Sequence, residues 1–342
     1  MKLLLVNACT GSGNEVFFDN LQMALGGFPD VEVMRLQMGA WDERIPGLAL
    51  SKRHRNATFE NQDVIVTNLE LACQLRCRRE QVCGIAHHNP SSPELLKLLP
   101  LPHRLYYRFL LGKLFWGGLR LCRHVVAPSR ATLTELESRD PALESRRYHC
   151  IYHGIDTDFF SPDPEVKRLR GRRLLFVGNP SIRKGFDLLP KVMEELGPDY
   201  QLEFTSGKRG IPEDKGLPEN MHPLGTLSRE DLRDTYRRAD VLLFPSRLEG
   251  FGYAAVEAMA CGTPVVGVKG TTLPEIMPPP MHHCLACKHD PKEIAKIVRR
   301  ELGRSKASTV WRDWAVSQFS LQRFGAAYRE LFREMMKRPG SG

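Results

Sequence analysis

Two carboxylates, Glu249 and Glu257, stand with seven residues between them in RLEGFGYAAVEAMACGTPVV, residues 247 to 266, around an aromatic flanked by Gly250 and Gly252. Glycines at those positions let backbone amides approach a phosphate or a sugar closely at the start of the helix that follows. A carboxylate beside such a site would repel phosphate, so the chemistry that suits it is accepting hydroxyl protons from a sugar or a ribose. A plainer reading stands beside this one on spacing alone: two surface acids near a helix N-terminus, where negative charge is mildly stabilising.

The elements that must position these acids are legible from periodicity. VLLFPS, ending at Ser246, reads as a strand and 252 to 260 as a helix, so Glu249 falls in the crossover loop and Glu257 about one and a half turns into the helix. Open α/β sheets bind ligands outside the carboxyl ends of their strands. The rest of the second half repeats the alternation: strand LLFVG, helix from about Lys184 to Leu196, strand QLEFTS, helix 229 to 239 capped by Ser228, strand PVVGV, and a helix entered at Asp290. The first half begins the same way, with LLLV at 3 to 6, the turn NACTGSG and a helix from Glu15 to Leu25, whose Ser12 and Glu15 fit a capping box. Strand-like runs follow at 31–36, 63–68, 82–87 and 124–129. The Pro- and charge-rich stretch 161–172 marks a composition shift, which divides the chain into a domain over 1–160, a linker over 161–172 and a domain over 173–320. A last helix, 321–337, is expected to pack back on the first domain.

Length and charge bound the function. A chain of 342 residues suits two domains, and its formal charge of +9 asks for an anionic partner: a phosphorylated small molecule, nucleic acid or an anionic membrane surface. The apolar run after Lys2 is too short for a secretory or spanning segment, and nine scattered cysteines read as reduced thiols, so a cytoplasmic location is expected. GSG lacks a third glycine, its place being taken by Val16, which argues against an NAD-dependent enzyme. Cys284-x-x-Cys287 has no second pair at finger spacing and is read as packing, not zinc. Residues 105–123 read as one amphipathic basic helix broken near Gly117-Gly118, either core with snorkelling arginines or a patch resting on anionic lipid.

The segment E-G-F-G-x-x-x-x-E-A-M-A-x-G-x-P-V-V resembles the defining segment of the family-four (group one) retaining glycosyltransferases. FVGNPSIRKGFDLL, IYHGIDTDFFSP, HPLGTLSREDLRDTYRRADVLLFPS and GSGNEVFFDNLQMAL resemble further motifs of that family, so the similarity covers essentially the whole chain. It implies a GT-B fold, two Rossmann-like doubly wound domains facing across a cleft. The roles it implies put Glu249 on donor-sugar hydroxyls, Glu257 on the ribose, Lys184 on the pyrophosphate and His87 beside the donor sugar and acceptor. Gly11, Gly13, Arg183, Thr226, Leu227, Gly250, Phe251 and Gly252 would complete the donor site. Where the family often has an arginine directly after the strand glycine, Gly178 is followed by Asn179, and Arg183 is the cation offered instead. Asp156-Thr157-Asp158 spells the metal signature of a different glycosyltransferase architecture, but inside this segment it is read as turn chemistry.

The expectation is a metal-independent, cofactor-free hexosyltransferase taking a nucleotide-diphosphate sugar, with a lipid-linked or lipopolysaccharide acceptor, peripheral contact with the cytoplasmic face of an anionic membrane and no nucleic-acid partner. A soluble small-molecule acceptor and a catalytically silent GT-B scaffold stay open as alternatives.

Overall fold

Short apolar runs separated by glycine turns and helices fold here into two parallel sheets. The structure is a computed structural model that describes residues 1–8, 13–38, 61–73, 75, 77–140, 142–166, 172–206, 216–303 and 309–337. Two compact units form: unit 1 is Met1–Gly154 with Leu321–Gly342, and unit 2 is Ile155–Ser320. The division falls at Gly154, ahead of the Pro-rich stretch, because Ile155 already pairs with Ser320 as a parallel bridge.

Unit 1 holds β1 (Lys2–Ala8), β2 (Glu32–Met38), β3 (Val64–Asn68), β4 (Val82–Ile85), β5 (His124–Ala127) and β6 (Arg147–Cys150), in the order β2-β1-β3-β4-β5-β6 with every neighbouring pair parallel. β1 and β3 are buried on both faces from Leu3 and Val64 onward, which is why they read as continuous apolar runs. Helix Gly13–Gly26 turns Phe17, Phe18 and Leu21 inward. Helix Leu321–Met336 lies against it so closely that a Cβ at Gly325 would meet the Ala24 carbonyl oxygen at 2.7 Å.

The expected break at Gly117-Gly118 is not where the structure places the irregularity. Leu101–Tyr106 is α-helical, Tyr107–Leu111 is a π turn, and Gly112–Leu121 is an unbroken α-helix. Gly118 serves packing instead: a Cβ there would sit 1.7 Å from the Leu69 carbonyl oxygen, so the helix can approach Leu69–Ala72 only without a side chain. Phe115 is buried in the core, and Trp116 packs beside it and donates its indole N–H to Ser91 Oγ at 2.9 Å. The exposed apolar residues of this region are Leu101 (64%), Leu105 (49%) and Phe109 (55%), one stripe at i, i+4, i+8.

Unit 2 holds β7 (Arg173–Phe176), β8 (Gln201–Thr205), β9 (Met221–Gly225), β10 (Val241–Phe244), β11 (Val265–Val268) and β12 (Leu285–Ala286), all parallel, in the order β12-β11-β10-β7-β8-β9. The strand order reverses between β7 and β10, which is the place such sheets open a crevice at their carboxyl ends. Two helix starts follow the side-chain rules: Ser228 Oγ accepts from Asp231 N at 3.0 Å, and Asp290 Oδ1 from Lys292 N at 3.1 Å. The helix expected from Lys184 begins instead at Leu189, after a 3-10 turn, because Gly185 adopts a left-handed φ of 73°. Each unit is thus a doubly wound parallel sheet, as the sequence led one to expect of a GT-B fold.

Candidate functional site

Loops leaving β7 and β10 meet at the reversal point of unit 2. After β7 the chain turns through Gly178 (φ 145°), whose N–H donates to Thr205 Oγ1 at 2.8 Å, and then through Gly185. A Cβ on Gly185 would lie 2.1 Å from the Pro245 carbonyl oxygen, so a glycine alone lets the β7 loop touch the end of β10. Arg247 clamps the same two loops, its guanidinium giving two hydrogen bonds to the Asp187 carboxylate at 2.6 and 2.8 Å and its backbone N–H donating to Arg183 O at 2.8 Å. This fork holds the backbone that carries Lys184 and Glu249.

Lys184 Nζ lies 2.5 Å from Glu249 Oε1, and Arg183 Nη1 lies 3.7 Å from Glu249 Oε2 while donating to the Leu248 carbonyl at 3.0 Å. The Glu249 side chain is 7% exposed and that of Lys184 17%, which removes the surface-acid reading for Glu249. Burial pushes the Glu249 carboxyl up, but Lys184, Arg183 and the Ser246 hydrogen bond outweigh it and hold it below the usual range. Burial draws the Lys184 ammonium down, with Glu249 opposing and Arg183 assisting. Two cations thus crowd one carboxylate, leaving net positive charge where an anionic leaving group could be met.

Glu257 sits in the second turn of helix Tyr253–Ala260 and is 8% exposed, so it too is no surface acid. The hydroxyl of fully buried Tyr236 donates to Glu257 Oε2 at 2.9 Å. Burial raises this carboxyl to about 7, with Tyr236 and Arg229 partly opposing. Gly252 is the N-cap of that helix at φ 109°, and Phe251 turns its ring into the core against Tyr253 and Phe319, so its offering to a ligand is backbone. Thr226 is exposed and Leu227 half-buried in the turn between β9 and the Ser228 cap. Gly11 lies outside the described residues; Gly13 opens helix Gly13–Gly26 in unit 1.

His87, after β4 of unit 1, occupies an aromatic setting. Its ring meets Phe17 edge-on at 5.1 Å and lies 5.4 Å from the ring of His153. Nε2 lies 3.1 Å from Asn68 Oδ1; with that oxygen as acceptor, Nε2 carries the proton and Nδ1 the lone pair. Burial first and His88 second hold the imidazole neutral, down to about 3. Asn68 and His153 escaped the sequence reading. The signal for Asn68 was a buried polar residue ending an apolar strand; His153 stood inside a motif read only as a turn.

The Asp156-Thr157-Asp158 triplet makes turn contacts, since Asp156 Oδ1 accepts from Phe159 N at 3.0 Å and its other oxygen faces Arg229 at 3.2 Å. Cys284 and Cys287 flank β12, the first buried and the second exposed. Among the described residues no helix is long and apolar enough to cross a membrane.

Residues 171–303 match the family described as Glycosyl transferases group 1. The chain is similar to a D-inositol 3-phosphate glycosyltransferase of Xylanimonas cellulosilytica, 29% identical over 218 residues, 56% of this chain and 52% of the relative. A mannosylfructose-phosphate synthase of Agrobacterium fabrum is 31% identical over 172 residues, 43% of this chain and 38% of the relative. The chain thus spans about half or less of the length of these curated relatives. Among solved structures, a sucrose-phosphate synthase from Thermosynechococcus elongatus superposes with a TM-score of 0.73 at 17% identity, covering 98% of this chain and 99% of the other. An Anabaena protein in complex with UDP and glucose does so with 0.69 at 18% identity, covering 97% and 99%.

Proposed function

We propose, from the match of residues 171–303 to the group 1 glycosyl transferases, that this chain belongs with them and moves a sugar from a nucleoside-diphosphate sugar to a hydroxyl acceptor with retention of configuration. The observation that carries this reading is the Lys184–Glu249–Arg183 cluster on glycine loops at the strand-order reversal of unit 2. In the proposed reaction the bond between the sugar carbon and the phosphate oxygen breaks and its electron pair leaves with the diphosphate. Lys184 and Arg183 stabilise that charge, and loop amides assist. The acceptor oxygen bonds to the same carbon on the face the diphosphate leaves, passing its proton to the departing phosphate oxygen. Glu249 holds sugar hydroxyls, Glu257 the ribose, and His87 supplies a neutral imidazole to the acceptor side. Positive side chains meet the diphosphate, so the reaction proceeds without a divalent ion on it and without a cofactor.

Thermal shift against a panel of nucleoside diphosphates tests the donor assignment, because a ligand at 100 times its dissociation constant stabilises by about 2.7 kcal/mol. A shift in the native chain that vanishes in Lys184→Ala supports it. No shift with any diphosphate, or no sugar turnover in a chain that does bind one, would favour the silent scaffold.

For the acceptor we favour a lipid-linked or lipopolysaccharide glycan at an anionic membrane face. No Asp or Glu occurs between Glu94 and Glu135, while the exposed side chains Arg104, Arg108, Lys113 and Arg120 lie close in sequence to the stripe of Leu101, Leu105 and Phe109. Phe115 is buried in the core and Trp116 packs against it, so the apolar contact belongs to that stripe. Relatives named for D-inositol 3-phosphate and for mannosylfructose-phosphate make a soluble phosphorylated acceptor the second reading. Sedimentation with vesicles separates the two: salt-sensitive binding to anionic but not neutral lipid supports the first, and binding to neither the second.

A further inference from the structure

Away from the donor loops, three chemically different groups converge between the turn Pro279–Cys284 and the last turn of helix Pro291–Leu302. Ligating atoms of His283, Cys284 and Glu301 all lie within 4.8 Å of one another. The His283 ring is oriented by Nδ1, 2.8 Å from the Pro280 carbonyl oxygen. A carbonyl only accepts, so Nδ1 carries the hydrogen and the neutral ring presents a lone pair at Nε2. That lone pair faces Glu301 Oε1 at 3.1 Å. Two acceptors so close repel one another unless a proton or a cation is shared between them.

Several features favour the cation. A backbone carbonyl fixing the far nitrogen is the arrangement by which metal-binding histidines are oriented. Cys284 is fully buried, and the Glu301 side chain is as well shielded as Glu249. Imidazole, thiolate and carboxylate together form a set that zinc takes, with bonds of about 2.0–2.3 Å, which would place neighbouring ligand atoms roughly 3.3–3.8 Å apart. Against it stands Arg300, whose Nε lies 3.5 Å from the same Glu301 oxygen and whose guanidinium is bonded to the His283 carbonyl, so a bound ion would displace that contact.

We propose that His283, Cys284 and Glu301 bind a divalent cation of the zinc type that ties the Pro279–Cys284 turn to the end of helix Pro291–Leu302. The Cys284 thiol releases its proton to solvent on binding, so affinity rises with pH. Exposed Cys287 takes no part, which separates this site from the C-x-x-C reading of the same stretch. The ion would brace unit 2 without touching the diphosphate.

Cobalt(II) titration of the full chain reads the site directly. The expected result is one equivalent bound, with a thiolate-to-metal charge-transfer band and ligand-field bands of tetrahedral intensity, displaced by zinc. Cys287→Ser should keep the band, Glu301→Gln should weaken affinity by about 10–100-fold, and Cys284→Ser should abolish the charge transfer. Glu301→Gln keeps shape and size, so it stays informative if Cys284→Ser fails to fold. No band at equimolar cobalt, or a band lost with Cys287→Ser and kept with Cys284→Ser, would overturn the proposal and leave a proton shared by His283 and Glu301.

Discussion

Units 1 and 2 share a parallel doubly wound scaffold but use charge in opposite ways where candidate site residues gather. In unit 2 the loops after β7 and β10 concentrate ions: Lys184 and Arg183 each reach the Glu249 carboxylate within 4 Å. In unit 1 the end of β4 presents His87 among Phe17, His153 and Asn68, and burial keeps both imidazoles neutral. On the proposed reading, the difference is that a donor diphosphate needs fixed charge, whereas a group near an acceptor hydroxyl needs a lone pair that is not already protonated. Paired ions on glycine loops constrain residue type at each position, as in E-G-F-G-x-x-x-x-E, and an aromatic setting does not.

The most severe test removes a charge from unit 2. Lys184→Ala is expected to lower kcat by about 10²–10³-fold and, by stranding Glu249 without its ammonium, to destabilise the fold by about 3–5 kcal/mol; single-turnover kinetics and urea melts would read the two. An unchanged rate would erase the contrast between the units. Next, His87→Ala should cut kcat by about 10²-fold while leaving nucleotide affinity within a factor of about two, as calorimetry with nucleoside diphosphates would show. Equal losses in both quantities would place His87 with the donor contacts.

Within unit 2 the two acids should divide their labour. Glu257→Ala is expected to weaken nucleotide binding about tenfold, and Glu249→Ala to act mainly on turnover, because only the sugar end of the donor reacts. The smallest effect is a pH dependence. The folded Glu257 carboxyl keeps its proton up to about 7, against an ordinary value of 4.5. Its contribution to stability is therefore complete below pH 4.5 and lost as pH rises through 7. On the proposed role, the ionised form accepts from both ribose hydroxyls, so nucleotide affinity should rise from pH 6 to pH 8, with the slope absent in Glu257→Gln. Tyr236→Phe, which deletes a hydrogen bond that favours the carboxylate, should move that rise to higher pH; a profile unchanged by the substitution would remove Tyr236 as the positioning partner.

Legibility in the sequence followed local chemistry. Strands buried on both faces, such as 64–68 and 241–244, announced themselves, while β6 (RYHC) and β9 (MHPLG), partly exposed at sheet edges, gave no apolar run to read. Glu249, Glu257 and Lys184 stood in quotable motifs, but the partner of Glu257 is Tyr236, 21 positions away, and that of His283 is Glu301, 18 away. Such pairs are made by tertiary packing and leave no spacing signal. Gly118 was misread for the complementary reason: the same residue type that breaks helices also permits the closest helix approach, and only the Leu69 carbonyl beside it decides which.

The bridge between Ile155 and Ser320 makes unit 2 an insertion within unit 1, and this sets an order of events during synthesis. Helix Leu321–Met336 supplies Phe324 and Tyr328, which close on Phe17 at 5.8 and 6.0 Å. The ribosome makes that helix only after all of residues 155–320, a delay of roughly 10–30 s at typical elongation rates. Only at the end of this interval does unit 2 have its whole chain, while the inner face of helix Gly13–Gly26 waits uncovered throughout. Unit 1 therefore begins first and is completed last, its final core element arriving only after the whole of unit 2.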